Sequence, residues 1–220
     1  MDEYLSEREQ VDRIRQWWKE NGGWIIVGIG AGVMALVMWN WWQGWKLERA
    51  EQASAIYSTL AAAAAEERVD EVRVGVERLA ADYGSSPYLQ QGRLLLAALL
   101  ANTGESEAAA AELESVLGKA KDPQLALVAR LRLARLLADD GKDERALQLV
   151  EGVQAGAFSA PLLEIRGDIL AARGDFDGAR EAYRQALEDA ALAGGVIDEE
   201  FVRLKLYALA ESPAVGSDAS

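Results

Sequence analysis

The chain has 220 residues, half of them hydrophobic, with no cysteine, no histidine and a formal net charge of −13. Its length allows one domain with a real core beside a short extra segment. The missing residue types remove disulfides, thiolate chemistry and imidazole bases or ligands, and the acidic balance argues against a nucleic-acid groove.

The first predicted element is a membrane span. All seven tryptophans fall between Trp17 and Trp45, and Asn21 to Trp45 is a run of twenty-five uncharged residues. About 20 helical residues cross a hydrocarbon core about 30 Å thick. Indoles favour the two membrane interfaces, where the ring is buried and the N–H still meets water or headgroups. Trp17, Trp18 and Trp24 mark one edge; Trp39, Trp41, Trp42 and Trp45 mark the other. A cleaved signal peptide is the rival reading. It would have a shorter apolar region and small residues at its end, where this chain has WNWWQGW. Residues 21–45 are therefore read as a retained anchor. Arg8, Arg13, Arg15 and Lys19 precede it, whereas only Lys46 and Arg49 follow closely. The positive-inside rule then makes 1–20 a cytoplasmic segment and, in a bacterium, puts everything after Lys46 in the periplasm. Gly28, Gly30 and Gly32 follow no strand, so a nucleotide loop fails its context test. Gly28 and Gly32 share a helix face and are the candidates for close packing against another transmembrane helix; ordinary glycine use in membrane spans is the alternative.

From Lys46 onward there are 19 basic and 30 acidic residues, a net of −11. Alanine, leucine, glutamate and arginine dominate, and apolar residues recur every three or four positions, which predicts helices. The first runs from Lys46 to about Glu66, continuing out of the membrane, and the next from Val69 to Asp82. Three pairs follow: Pro87–Ala101 with Glu105–Leu117, Pro123–Ala138 with Asp143–Val153, and Pro161–Ala172 with Asp175–Ala190. A last helix, Asp198 to Glu211, covers the end, and 212–220 is read as a flexible tail. Gly104, Gly141 and Gly174 close the first helix of each pair, where glycine permits a left-handed cap.

Those glycines are 37 and 33 residues apart, a spacing that prompts a repeat test. Leu162 to Leu187 resembles a tetratricopeptide repeat. Leu163 and Leu170 supply large contacts, Gly167 allows close helix approach, and Ala179, Tyr183, Ala186 and Leu187 form the second-helix pattern. Arg166 departs from the usual large apolar residue. The two earlier units are more degenerate, and Asp143 replaces an expected aromatic. The predicted fold is all-α: a single N-terminal transmembrane helix followed by a helical-hairpin solenoid over 46–211.

Anchor and repeats together resemble the YfgM-type ancillary subunits of the SecYEG translocon. Val11 to Gly32 and Trp39 to Leu60 carry the most specific likeness, joined by Ala129 to Val150 and Glu164 to Leu187. The resemblance implies a cytoplasmic N-terminus, one inner-membrane span and a periplasmic tetratricopeptide-like domain. It also implies the SecYEG translocon and the membrane-anchored chaperone PpiD as partners, and assistance to secreted or outer-membrane polypeptides as they emerge.

Repeat geometry nominates a concave protein-binding face: Gln91, Leu94 and Ala98; then Val128, Leu131 and Arg135; then Glu164 and Asp168. Apolar patches there would receive side chains, and charged groups would meet backbone or terminal groups. The competing reading makes Leu94 and Leu131 core residues and Arg135, Glu164 and Asp168 simply solvated. Arg166-Gly167-Asp168 has the letters of an integrin motif but sits in a helical repeat. Asp139 to Glu144 lacks the spaced oxygen ligands of a calcium loop and reads as a turn and cap. With no convergent acid/base pair or activated nucleophile, neither an enzyme nor a cofactor is expected. The expected role is an ancillary, chaperone-scaffolding subunit of the export machinery; an envelope-assembly adaptor that does not touch clients is the alternative.

Overall fold

The computed structural model describes residues 7–153, 156–193 and 197–211. The predicted tail, 212–220, lies outside them, as do residues 1–6. Two units divide the chain, Met1–Gln52 and Ala53–Ser220.

In the first unit the chain is one helix, α1, whose full extent is Glu7–Ala65. Trp24, Ile26, Val27, Ile29, Met34, Leu36, Val37 and Met38 are all more than 60% exposed along it. An apolar surface of that length has no place in water, and it suits a helix surrounded by lipid. The helix satisfies its own backbone, and at its polar start the Asn21 amide donates back to the Trp17 carbonyl at 3.0 Å.

The second unit begins with the last turns of α1, where Ala53, Leu60 and Ala63 are buried. The other elements are α2 (Val69–Asp82), α3 (Pro87–Asn102), α4 (Ser106–Lys119), α5 (Pro123–Asp139), α6 (Asp143–Val150), α7 (Ser159–Ala172), α8 (Phe176–Ala193) and α9 (Glu199–Glu211), with a 3-10 turn at Gly156–Phe158. Helix starts follow local chemistry. Ser86 and Asp122 each accept from the backbone N–H two residues on, ahead of Pro87 and Pro123. Asp175 and Asp198 cap α8 and α9 by accepting from the N–H groups of Gly178 and Phe201.

The three predicted turns share one geometry. Gly104, Gly141 and Gly174 have φ of 84°, 70° and 78°. After each, an N–H reaches back to the third-last helical carbonyl: Glu105 to Leu100, Lys142 to Leu137 and Asp175 to Leu170, at 2.8–2.9 Å. That is the Schellman arrangement, which needs a left-handed residue after the helix. The α1–α2 turn repeats it without glycine: Glu67 takes φ 57° and the Arg68 N–H reaches the Ala63 carbonyl at 2.9 Å. The second helix of the middle pair is shorter than its periodicity suggests. It ends at Val150 rather than Val153, because Glu151 turns extended and Gly152 takes φ 68°.

Helices α3/α4, α5/α6 and α7/α8 pack as hairpins, while α3, α5 and α7 also touch in succession. This is a stacked-hairpin solenoid. Three apolar clusters run along it: the first joins the end of α1 with α2 and α3, the second spans α3 to α7, and the third joins α8 and α9. Leu60 lies against both Gly75 and Gly92, so small residues set the spacing there. Gly167 on α7 does the same for α8: an added Cβ would overlap the Tyr183 ring, with Cδ1 at 2.6 Å.

Gly167→Ala should therefore cost about 1–3 kcal/mol by overpacking, lowering the melting midpoint by about 2–4 °C for each kcal/mol. Gly118→Ala, where nothing lies within 4 Å of the new Cβ, should be neutral or gain up to about 1 kcal/mol of helix propensity. Thermal melts of the full chain in detergent, followed by circular dichroism, compare the two; equal melts would remove the assigned contact.

Candidate protein-binding face

The three helices α3, α5 and α7 carry the nominated residues at successive levels of the array. Gln91 and Ala98 on α3, and Val128 and Leu131 on α5, are half-buried. Leu94 is only 7% exposed and belongs to the central core, so its main contacts are internal. Its backbone carbonyl accepts from the Arg132 guanidinium at 3.1 Å, which ties α5 to α3. Ala98 and Arg135 line a cleft of about 240 Å³ between α3 and α5, together with Ala97, Ala101, Arg132 and Leu136. A separate cleft of about 390 Å³ involves Leu117, Leu133, Arg145 and Leu149 on α4, α5 and α6. It is larger, but no nominated residue lines it.

The charged residues converge. Arg135 is 3.8 Å from Glu164, and Glu164, only 8% exposed, takes the Lys205 ammonium at 2.8 Å. The same ammonium meets both oxygens of Asp168 at 2.7 and 2.9 Å. Asp168 also accepts from the Tyr183 hydroxyl at 2.6 Å. Arg135, Glu164 and Asp168 are thus not merely solvated; they form a network through α5, α7, α8 and α9. Lys205 and Tyr183 were absent from the nominated set. Their signals in the sequence were slight: Lys205 falls on the stripe of Val202, Leu206 and Leu209, where a lysine calls for a carboxylate partner. Lys205 also approaches the Phe201 ring, 4.7 Å from its centroid.

Burial is the first cause that holds the Tyr183 hydroxyl protonated far above its ordinary range. The hydrogen bond to Asp168 and the negative charges of Asp168 and Glu164 add to it. Here the phenol works as a donor, not as a base.

The other nominated positions stand apart. A Cβ at Gly28 or Gly32 would meet nothing within 4 Å, so neither glycine packs against a described residue. The Asp139 to Glu144 segment forms the α5–α6 turn, with Asp140 ion-paired to Lys142 at 3.1 Å. Among the described residues no cluster of acids is placed to hold a metal ion.

A family model described as a tetratricopeptide repeat-like domain matches residues 15–211, which takes in the span as well as the array. Among curated relatives, a protein of Escherichia coli strain K12 is 30% identical over 86% of this chain and 90% of its own length. One from Haemophilus influenzae is 27% identical over 92% and 97%, and one from Neisseria gonorrhoeae is 24% identical over 95% and 100%. All three are described as ancillary SecYEG translocon subunits.

Two outcomes follow from the network. Lys205→Met leaves the nearly buried Glu164 carboxylate without its closest cation and should cost about 1–3 kcal/mol, read as a lower melting midpoint. Because the Tyr183 pKa is raised on folding, its contribution is complete below the unfolded value of about 10 and is lost as pH rises beyond it. Stability should fall at alkaline pH, and Tyr183→Phe should make that fall shallower. An identical alkaline profile would contradict the assignment.

Proposed function

We propose that this chain, which belongs to the ancillary SecYEG translocon subunit family, scaffolds a periplasmic chaperone beside the export channel and assists polypeptides as they emerge. Its coarser role is established by the family: a non-enzymatic, translocon-associated subunit. It is a single-pass inner-membrane protein with its tetratricopeptide-like domain in the periplasm. The proposal adds the assignment of 1–20 to the cytoplasm, 21–45 to the span and 46–211 to the periplasmic array.

One observation carries the finer reading. A helical array with a partly exposed face that mixes apolar and charged groups shares its chain with a single span. Such a face suits extended polypeptide, because the alanine-lined cleft receives a side chain while Arg135 and the carboxylates meet polar or charged groups. Tethering to the membrane raises the effective concentration of that face near a channel without any new contact. The chaperone partner in this proposal is PpiD, which the resemblance implies. An adaptor that never touches clients is the second reading.

Detergent-solubilised pull-down with crosslinking separates these. Recovery of the channel and PpiD together with emerging-chain crosslinks supports the proposal, and recovery without client crosslinks supports the adaptor. Exchange of the span for an unrelated one, with the array still folded, should abolish recovery of the channel; unchanged recovery would move docking to the repeats. Gly28→Leu with Gly32→Leu should weaken crosslinking through the span, and undiminished crosslinks would leave those glycines without a partner-specific role.

A further inference from the structure

The outer end of the span is one-sided. At about 100° per residue, Trp39, Trp41, Trp42, Trp45, Lys46 and Arg49 fall within an arc of about 160° on α1. Asn40, Gln43, Gly44 and Glu51 lie on the opposite side. A helix that merely floats at an interface has no reason to sort its indoles and cations onto one face.

The side chains on this face are stacked in order. The Trp39 and Trp42 rings meet edge to face with centroids 5.5 Å apart. Lys46 folds its ammonium back to 3.7 Å from the centroid of the Trp42 ring. Arg49 repeats the motif one turn on, 5.1 Å from the Trp45 ring. The direction has a simple cause: helical Cα–Cβ bonds tilt toward the N-terminus. Beyond the outer end of the span, that tilt aims a lysine down toward the hydrocarbon rather than up into water. Its ammonium therefore sits at the level of the indoles, where hydration is poor and an anion is needed. The indoles below it form an apolar wall at the height of the acyl chains. Glu48 and Glu51 are about 160° and about 140° around the helix from Lys46, so they do not neutralise it at contact distance.

An anion joined to an alkyl chain satisfies both halves of this face. We propose that it is a binding site for an anionic phospholipid of the periplasmic leaflet. The phosphate meets Lys46, with the Arg49 guanidinium adding to the field, and an acyl chain lies along Trp42 and Trp39. The net negative headgroup is favoured because each interfacial cation attracts anionic lipid. A carboxylate on a neighbouring protein helix would satisfy the ammonium but would leave the indole wall without its chain. The proposal rests on the single-pass reading of α1, and the following test tells the two apart.

The full chain with Trp17, Trp18, Trp24, Trp41 and Trp45 replaced by Phe keeps Trp39 and Trp42 as its reporters. It is reconstituted into phosphatidylcholine vesicles containing a minor fraction of either phosphatidylglycerol or phosphatidylcholine with brominated acyl chains. The brominated phosphatidylglycerol should quench the two indoles with a relative association constant about fivefold higher. Lys46→Gln should bring that ratio close to one, and Glu48→Gln should leave it unchanged. Equal quenching by the two lipids in the parent chain would overturn the site, as would a ratio that Lys46→Gln does not change. Equal quenching in the vesicles, together with a carbodiimide crosslink from Lys46 to a channel carboxylate in membranes that contain the translocon, would overturn the lipid site and assign the face to a protein instead. Absence of quenching by either lipid would remove the span itself and the site with it.

Discussion

A two-helix hairpin of alanine- and leucine-rich sequence cannot cover its own apolar stripe, and the periplasmic domain depends on that shortfall. Each hairpin must be completed by the next. The spacing between helices is set where one of them presents glycine. Leu60 fits against Gly75 and Gly92, and Tyr183 lies across Gly167. Glycine-closed turns reverse the chain after each of α3, α5 and α7, and these three helices come into contact in succession. The face proposed for binding is a by-product of this stacking. The ends of the stack are the exception, and there the chain uses other means. The last turns of α1 supply the first buried stripe. At the far end, α9 is held by Val202 in the core and by Lys205 on the α7 carboxylates.

Sequence patterns disclosed whatever depends on local chemistry. The uncharged run bracketed by indoles announced the span, and α2 was found at Val69–Asp82 because Val72, Val76 and Leu79 mark its stripe. Gly104, Gly141 and Gly174 marked turns because few other residues take positive φ without strain. Glu67 shows the limit of that signal: the same turn forms there with no glycine, since packing on both sides fixes the reversal. Periodicity also shows that a residue faces inward without saying what it meets. Leu94 looked equally suited to a groove and to a core, and the neighbouring helices decided for the core. The link from Lys205 to Glu164 and Asp168 bridges 41 and 37 residues, so it becomes visible only when the hairpins are stacked. Gly28 and Gly32 remain unreadable for a different reason: nothing lies within 4 Å of a Cβ added at either, so no contact names a partner.

The division of labour within the protein follows from its two surfaces. One is apolar and continuous, suited to lipid and to close helix approach. The other is acidic and mixed, suited to polypeptide and of no use to nucleic acid. The charge network on α7 gives the array a partly neutralised patch, and Arg135 joins it to the cleft that Ala98 lines. Neighbouring cations and a tyrosine donor hold Glu164 and Asp168 in place, so the patch presents ordered groups rather than mobile charges. Order of this kind lowers the entropic cost of meeting an extended chain.

The central claim is that the α3/α5/α7 face meets emerging polypeptide, and photo-crosslinking from single positions in cells tests it most directly. A photo-reactive residue replaces Val128 or Arg135 on that face, or Gln148 on α6, while a secretory chain is stalled in the channel. Crosslinks from Val128 and Arg135 with little or none from Gln148 are predicted. Crosslinks from Gln148 alone, or from none of the three while the channel itself is still recovered, would contradict the account.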